Sequence, residues 1–169
     1  MPEGPVVVLA GGTGGAKLAR GMLDVAGEDL VVIANTGDDI EIYGAYVSPD
    51  PDLVCFWLAD RIDERGWGLE GDTFTVMDEL RELGREVWFN LGDRDLAWCL
   101  ERARRLAAGE RATAALAALA GAIGVGAKVL PMCDEPVRTF VDGVPLQELL
   151  IRGGRGGAIE TVEIQGIER

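Results

Sequence analysis

Residues 6–39 constrain the fold of this chain more tightly than any other stretch. The apolar run Val-Val-Val-Leu-Ala at 6–10 is followed by Gly11-Gly12-Thr13-Gly14-Gly15-Ala16-Lys17. Ala16, Leu18, Ala19, Met22 and Leu23 then recur at helical spacing, with Gly27 as the stop, before a second apolar run at 30–34 and the loop Asn35-Thr36-Gly37-Asp38-Asp39. This spacing predicts a strand, helix, strand unit. Parallel strands place both following loops at one carboxyl edge of a sheet, where open α/β folds bind ligands. The second run, Leu-Val-Val-Ile-Ala, is apolar throughout, as strands covered on both faces are.

Glycine allows backbone conformations and close approaches that a side chain blocks, so Gly11, Gly12, Gly14 and Gly15 can turn peptide N–H groups toward an anion, and the helix behind them adds positive dipole character. The run is neither GxxxxGK[ST], because Lys17 is followed by Leu18, nor a clean GxGxxG. Two readings stay open at this point, a phosphate-binding loop and a flexible connector.

Beyond residue 39 the pattern alternates helices with short strands. Residues 40–48 are compatible with a strand or a loop. Ser48-Pro49-Asp50-Pro51-Asp52 is a turn into a helix carrying Leu53, Phe56 and Trp57, and Gly66–Phe74 is a loop in which Asp72 or Thr73 caps the helix of Met77, Leu80 and Leu83. Residues 87–89 read as a third strand, residues 96–106 as a helix, and the alanine-rich segment 112–123 as a buried helix. A fourth strand at 128–130 precedes a strand at 137–141 and the hairpin signal Asp142-Gly143. Residues 146–151 continue that hairpin, 152–157 are mobile, and 161–164 alternate as a final strand. The fold class is therefore α/β, a doubly wound and mainly parallel sheet with a small β-hairpin excursion, in one domain over residues 1–169.

With 169 residues, of which 48% are hydrophobic, the chain can bury one core. A formal net charge of −13 argues against nucleic acid as a partner. An acidic chain that handles an anionic ligand needs local compensation from loop amides, placed Arg or Lys residues, or a divalent metal. Cys55, Cys99 and Cys133 are widely spaced and odd in number, which suggests thiols in a reducing compartment rather than disulfides or zinc. The start MPEGPVVVLA has no basic leader and no run reaches membrane-spanning length, so a cytoplasmic protein is expected. The chain contains no histidine, which removes histidine-based acid, base and nucleophile schemes.

Four acidic clusters follow strands or open helices: Asp38-Asp39, Asp50 with Asp52, Asp72, and Asp93 with Asp95. One such carboxylate is ordinarily a helix cap. Several in loops that converge on one sheet edge repel unless a cation or a donor-rich ligand sits among them. Lys17, Arg94 and Arg138 are the nearby candidates for phosphate pairing.

The ordered series LAGGTGGAKLARGM, NTGDD, SPDPD, ERGWGLEGDTF, LGDRDLA, LPMCDEPVRT and LQE resembles the 2-phospho-L-lactate transferase family of coenzyme F-420 biosynthesis, over essentially all of residues 6–165. The resemblance implies a Rossmann-like fold and a Mg2+-assisted phosphotransferase. In that chemistry a 2-phospholactyl or phosphoenolpyruvyl group moves from a guanylyl diphosphate-type donor to the terminal ribityl hydroxyl of the deazaflavin Fo, with release of GMP. An alcohol attacks phosphorus, so no covalent protein nucleophile is required. The resemblance implies donor and acceptor contacts for Gly11, Gly12, Thr13, Gly14, Gly15, Lys17, Asn35, Asp52, Thr73, Asn90 and Asp93. It implies metal binding by Asp38, Asp39 and Asp50, and catalytic roles for Asp50, Asp52 and Arg94.

Two positions depart from the family pattern: Asn90 stands where relatives commonly carry Arg, and Tyr43-Gly44 where His-Gly is common. Family members also continue well past residue 169 through a second half with a GPSNP-type motif. Residues 1–169 are thus expected to be the amino-terminal portion of the family fold, to lack turnover by themselves, and to partner a complementing carboxyl-terminal half or further copies of the chain. The alternatives are a non-catalytic nucleotide or nucleotide-sugar binding regulator of the gluconeogenesis-factor type, which shares the glycine and acidic loops, and an inactive truncated remnant.

Overall fold

The computed structural model of the protein describes residues 4–153 and 158–166. Strand β1 (Val6–Ala10) leads into helix α1 (Gly12–Ala26), and a 3-10 turn at Gly27–Asp29 returns the chain to β2 (Leu30–Ala34). The two strands pair in parallel, Val6 opposite Leu30 and Ala10 opposite Ala34. The glycine run is the start of the helix rather than a separate loop, with Gly11 as N-cap and Gly12 as the first helical residue. A Cβ built on Gly15 lies 2.7 Å from the Cα of Ala10. Its missing side chain is what lets α1 lie directly on the strand it follows.

The mixed stretch after β2 is a tight hairpin of β3 (Ile40–Ile42) and β4 (Ala45–Val47), with Ile42 opposite Ala45. Tyr43 at φ 54° and Gly44 at φ 77° supply the two left-handed residues that a two-residue type I′ turn requires. Helix α2 (Pro49–Leu58) starts earlier than the apolar spacing from Leu53 indicates. Proline is pre-set for a first helical turn, and Asp50 and Asp52 complement the positive end of its dipole.

Three helices follow: α3 (Thr75–Glu82), α4 (Asp93–Ala107) and α5 (Ala112–Ala122). Residues 87–89 are not the third strand their composition suggests, and belong to no ladder among the described residues. Side-chain contacts satisfy the segment instead: Trp88 and Phe89 stack with ring centroids 5.6 Å apart, and the Phe89 N–H donates to Tyr43 Oη at 3.2 Å. Strand β5 (Lys128–Pro131) then joins the free side of β2, giving the parallel order β1-β2-β5.

A three-stranded antiparallel sheet completes the described residues. Strands β6 (Arg138–Val141) and β7 (Val144–Pro145) turn about Asp142 and Gly143, and β8 (Val162–Gln165) pairs with the other edge of β6. Residues 146–151, expected to prolong the hairpin, form helix α6 (Leu146–Arg152). Pro145 cannot donate a ladder hydrogen bond, and Leu146-Gln147-Glu148-Leu149-Leu150 are strong helix formers. Of the run expected to be mobile, residues 154–157 lie outside the described residues.

The core fills one side of the parallel sheet. Val8, Ala10, Leu30, Val32, Ala34 and Val129 are buried there with Ala16 and Ala19 of α1 and Val54, Cys55, Phe56 and Leu58 of α2. The order β1-β2-β5 moves one way across the sheet, so right-handed crossovers carry the intervening helices to a single face. On the other face Leu9 is 77% and Val7 51% exposed, while Val31, Ile33 and Leu130 are half-buried. These residues therefore cover β2 on one face only. Helix α5 is likewise buried along Ala115, Leu116, Leu119 and Ala120 alone, with Ala114, Ala117, Ala118 and Gly121 exposed.

The packing of α1 yields a paired prediction. Gly15→Ala drives a methyl group into Ala10 and lowers stability by about 1–3 kcal/mol. At Gly14 a Cβ meets nothing within 4 Å, so Gly14→Ala is neutral or stabilises by up to about 1 kcal/mol through helix propensity. Urea unfolding of the two variants checks the contrast.

Candidate active site

The carboxyl ends of β1 and β2 gather the first group of expected residues. Asn35 is fixed by its own backbone, its N–H donating to Ala10 O at 2.9 Å. Its side-chain Oδ1 accepts from the Gly37 N–H at 3.0 Å. That leaves the Nδ2 hydrogens for two carboxylates, Asp38 Oδ1 and Asp50 Oδ2, each at 3.0 Å. The other oxygen of Asp50 accepts from the Gly12 N–H at 2.7 Å. A carboxylate from α2 thus sits on the first amide of α1, in the position a helix N-terminus offers an anion.

Asp39, next to Asp38, accepts from Ser48 Oγ at 2.7 Å. Asp38, Asp39 and Asp50 are 7%, 8% and 7% exposed. Burial, with Asp50 alongside, pushes the Asp38 carboxyl up to about 7. Burial pushes Asp39 up to about 8 despite the Ser48 hydrogen bond. Asp38 and Asp50 are bridged by one neutral amide and have no salt-bridge partner among the described residues. Hard oxygen donors left short of positive charge fit a hard divalent cation.

Asp52 faces the interior. Trp98 Nε1 donates to its Oδ1 at 2.7 Å, Arg102 Nη1 donates to Oδ2 at 3.0 Å, and Arg102 Nη2 also bonds Oδ1. Asp52 and Arg102 are each 4% exposed, and Arg102 Nη1 reaches Tyr46 O at 3.1 Å. The Asp52, Asp95 and Cys99 ligand atoms lie within 4.8 Å of one another. Both Asp52 oxygens are taken by the guanidinium, so that cluster is an ion-pair site and not a cation site.

A second group joins the loop before α3 to the loop before α4. Asp93 accepts from the N–H groups of Thr75 and Val76 at 3.1 and 2.9 Å and from Thr73 Oγ1 at 2.7 Å, capping α3. The Val76 amide and the Thr73 hydroxyl hold the Asp93 carboxyl below the usual range. Asp72 does the reverse, accepting from the N–H groups of Arg94 and Asp95 at 2.9 and 3.1 Å, and so caps α4. The cap expected from Asp72 to its own helix is thereby exchanged between the two loops. Gly92 is the residue that makes room, since a Cβ there lies 2.2 Å from Asp72 Oδ2.

The remaining candidates are spread around these groups. Arg94 is exposed and donates to Glu70 O at 2.9 Å. Asn90 accepts from Arg81 Nη2 at 2.7 Å. Lys17 is exposed, its Nζ 5.6 Å from the Trp57 ring centroid, and Thr13 is exposed in the first turn of α1. Arg138 pairs with Glu41 at 2.5 Å, while Thr139 N–H donates to Gly37 O at 2.8 Å and tacks the antiparallel sheet to the acidic loop. A groove of about 550 Å³ between the β3–β4 hairpin and α4 is lined by none of the expected residues. Sequence reasoning missed Ser48, Trp98 and Arg102. For Arg102 there was a signal: it falls three and four residues after Cys99 and Trp98 on the apolar stripe of α4, where a guanidinium demands a buried acid.

The architecture defines an α/β protein with a polar, acid-rich mouth at the carboxyl edge of a parallel sheet. Sequence comparison is more specific: the family profile described as 2-phospho-L-lactate transferase CofD matches residues 6–164, and the chain belongs to that family. It is 40% identical over 139 residues to a 2-phospho-L-lactate transferase of Methanosarcina acetivorans, covering 81% of this chain and 45% of the relative. It is 44% identical over 147 residues to a phosphoenolpyruvate transferase of Thermobifida fusca, covering 80% of this chain and 46% of the relative. The chain thus spans about half the length of the curated relatives it matches. Protein BH3568 of Bacillus halodurans shares the fold, with a TM-score of 0.53 at 18% identity over 96% of this chain and 51% of that one. No helix among the described residues is long and apolar enough to cross a membrane.

Two outcomes test this geometry. Gly92→Ala displaces Asp72 from the start of α4 and costs about 0.5–2 kcal/mol in denaturant unfolding. Burial, with Asp52 alongside, raises Asp95 to about 7. Its native state therefore holds a proton that the unfolded chain releases above pH ~4, and the Asp95 contribution is lost as pH rises through about 7. Asp95→Asn should flatten the fall of Tm between pH 5 and 8 and should exceed the parent Tm at pH 8; an unchanged slope would contradict the burial of that carboxyl.

Proposed function

We propose that this chain carries the glycine-loop half of a Mg2+-assisted phosphotransferase of coenzyme F-420 biosynthesis. On this reading a 2-phospholactyl or phosphoenolpyruvyl group passes from a guanylyl diphosphate-type donor to the ribityl hydroxyl of Fo, and GMP leaves. The observation that carries the reading is the joining of Gly12, Asn35, Asp38 and Asp50 at one sheet edge, in a chain of this family. The hydroxyl oxygen forms the new bond to phosphorus as the bond to the GMP oxygen breaks, and the hydroxyl proton goes to a nearby carboxylate or water.

The donor phosphates lie over Gly11–Gly15, where the exposed first turn of α1 and Lys17 supply positive potential. Asp38, Asp39 and Asp50 would hold Mg2+, which would neutralise charge on the phosphate oxygens. Asn35 orients Asp38 and Asp50, and Asp50 is the carboxylate nearest the helix terminus that accepts the proton. Thr73, Asn90 and Asp93 belong to the acceptor side with Arg94, whose exposed guanidinium faces developing negative charge. Asp52 acts from behind, positioning the first turn of α2 through Arg102 rather than touching Fo. The partners on this reading are small molecules in an aqueous compartment, with neither nucleic acid nor membrane involved.

Calorimetry with GDP tests the donor side. GDP should bind at least tenfold more tightly in Mg2+ than in EDTA, and Asp50→Asn should remove most of that difference. Equal affinity in the two buffers would show that the three carboxylates are caps and solvated charges. Titration of Fo fluorescence tests the acceptor side, where Thr73→Ala should weaken binding and no binding at high micromolar protein would reject the assignment.

A further inference from the structure

We propose that Trp67 is the platform on which the deazaflavin ring of the acceptor stacks, the open face of the indole meeting the flat tricycle while the ribityl chain runs toward the first turn of α1. The inference rests on the acceptor assigned above, and adds to it the residue that takes the ring.

Trp67 stands at the tip of a short hairpin. An antiparallel bridge joins Ile62 to Leu69. Within it the Asp63 N–H donates to Gly68 O at 3.1 Å and the Gly66 N–H to Asp63 O at 2.8 Å. Gly66 at φ 87° and Gly68 at φ 70° supply the left-handed backbone on either side of Trp67. Leu69, buried in the core, anchors the base of the hairpin, whereas Trp67 is 49% exposed and is the only exposed aromatic among the described residues.

A single exposed apolar residue needs no ligand to explain it. Trp67 differs in being braced. The Arg65 guanidinium lies 4.3 Å from its ring centroid and 5.7 Å from that of Phe74. Asp63 fixes Arg65 in turn, its Oδ1 accepting from Arg65 Nε at 2.5 Å and from the Arg65 N–H at 3.0 Å. A cation therefore covers one face of the indole and orders the ring in advance. A large ring already held still, with its other face bare, offers contact area at small entropic cost, and this suits the stacking of a flat heterocycle.

The place of the hairpin selects which ring. A Cβ built on Gly66 lies 4.0 Å from Thr13 Cγ2, so the tip leans on the first turn of α1, where the donor phosphates are assigned. On its other side Arg65 reaches Phe74, the neighbour of Thr73, whose hydroxyl donates to Asp93 in the acceptor loops. The attacking hydroxyl is tied to its ring by a ribityl chain, so that ring has to rest beside the phosphate turn and against the acceptor loops. Trp67 meets both conditions. In-line displacement places the leaving GMP opposite the attacking hydroxyl, so the guanine lies across the phosphorus from the acceptor loops that Trp67 joins.

Titration of Fo against the 169-residue protein, read by deazaflavin emission, tests the stack. Trp67→Leu should weaken Fo binding by about fivefold or more, and Trp67→Phe, which keeps a flat face, should recover most of that loss. The indole should quench the emission of bound Fo in the parent protein, and Fo bound to Trp67→Phe should be brighter. GDP affinity in Mg2+ should be the same in both variants as in the parent. Circular dichroism should show both folded, because the side chain already faces solvent; should Trp67→Leu not fold, the emission of Fo bound to Trp67→Phe decides. Unchanged Fo affinity and bound emission would overturn the stack and leave the transferase reading in place. Weaker GDP binding with Fo unaffected would give the platform to the guanine and overturn it as well. If the parent protein binds no Fo, the acceptor assignment falls and the stack falls with it.

Discussion

The buried ion pair of Asp52 and Arg102 is the contact on which the rest of the mouth depends. Two charges removed from water cost several kcal/mol each unless their geometry and remaining hydrogen bonds compensate. Here they do: the guanidinium takes both Asp52 oxygens, Trp98 Nε1 adds a third donor, and Arg102 Nη1 also donates to Tyr46 O. The pair joins the first turn of α2, the middle of α4 and strand β4. Because Asp50 lies on the same turn as Asp52, fixing one fixes the other, and the free carboxylate is held against Gly12 and Asn35.

The same economy links the two most distinctive loop motifs. Gly71-Asp72-Thr73-Phe74 and Leu91-Gly92-Asp93-Arg94-Asp95 exchange caps, Asp93 serving α3 and Asp72 serving α4. Neither loop can move without uncapping the other's helix. Carboxylates that read singly as caps are therefore caps, and they also set the loops that flank the mouth. Asp38, Asp39 and Asp50 differ from them: they end on Asn35, Ser48 and Gly12, and two of the three carry raised affinity for protons. They are also buried, whereas Asp72 and Asp93 are half-buried.

Periodicity made most of the parallel unit legible. β1, β2, β5 and the Asp142-Gly143 hairpin follow directly from apolar runs and turn residues, and the approach of Asn35 and Asp38 to the start of α1 follows from parallel strand logic, whereas Asp50 reaches them from α2. What was not legible depends on contacts between distant segments. Residues 87–89 have the composition of a strand, but they join no ladder among the described residues, and Tyr43 holds them instead. Residues 146–151 had helix propensity that an assumed hairpin concealed. The inward turn of Asp52 is set by Arg102, fifty residues away. No local pattern at residues 50–52 says which of the two aspartates faces the mouth.

Amide hydrogen exchange at Gly12 tests most directly whether the ion pair shapes the mouth. The Gly12 N–H is the donor to Asp50 at 2.7 Å, so its protection reports whether Asp50 is held in place. Arg102→Lys keeps the charge and loses the planar fork that matches a carboxylate. The account predicts that Gly12 protection falls at least tenfold in Arg102→Lys while the amide of Val32, in the central strand, stays protected. Unchanged protection at Gly12 in a folded Arg102→Lys protein would contradict it, and would mean that Asp50 reaches the helix terminus without help from the buried pair.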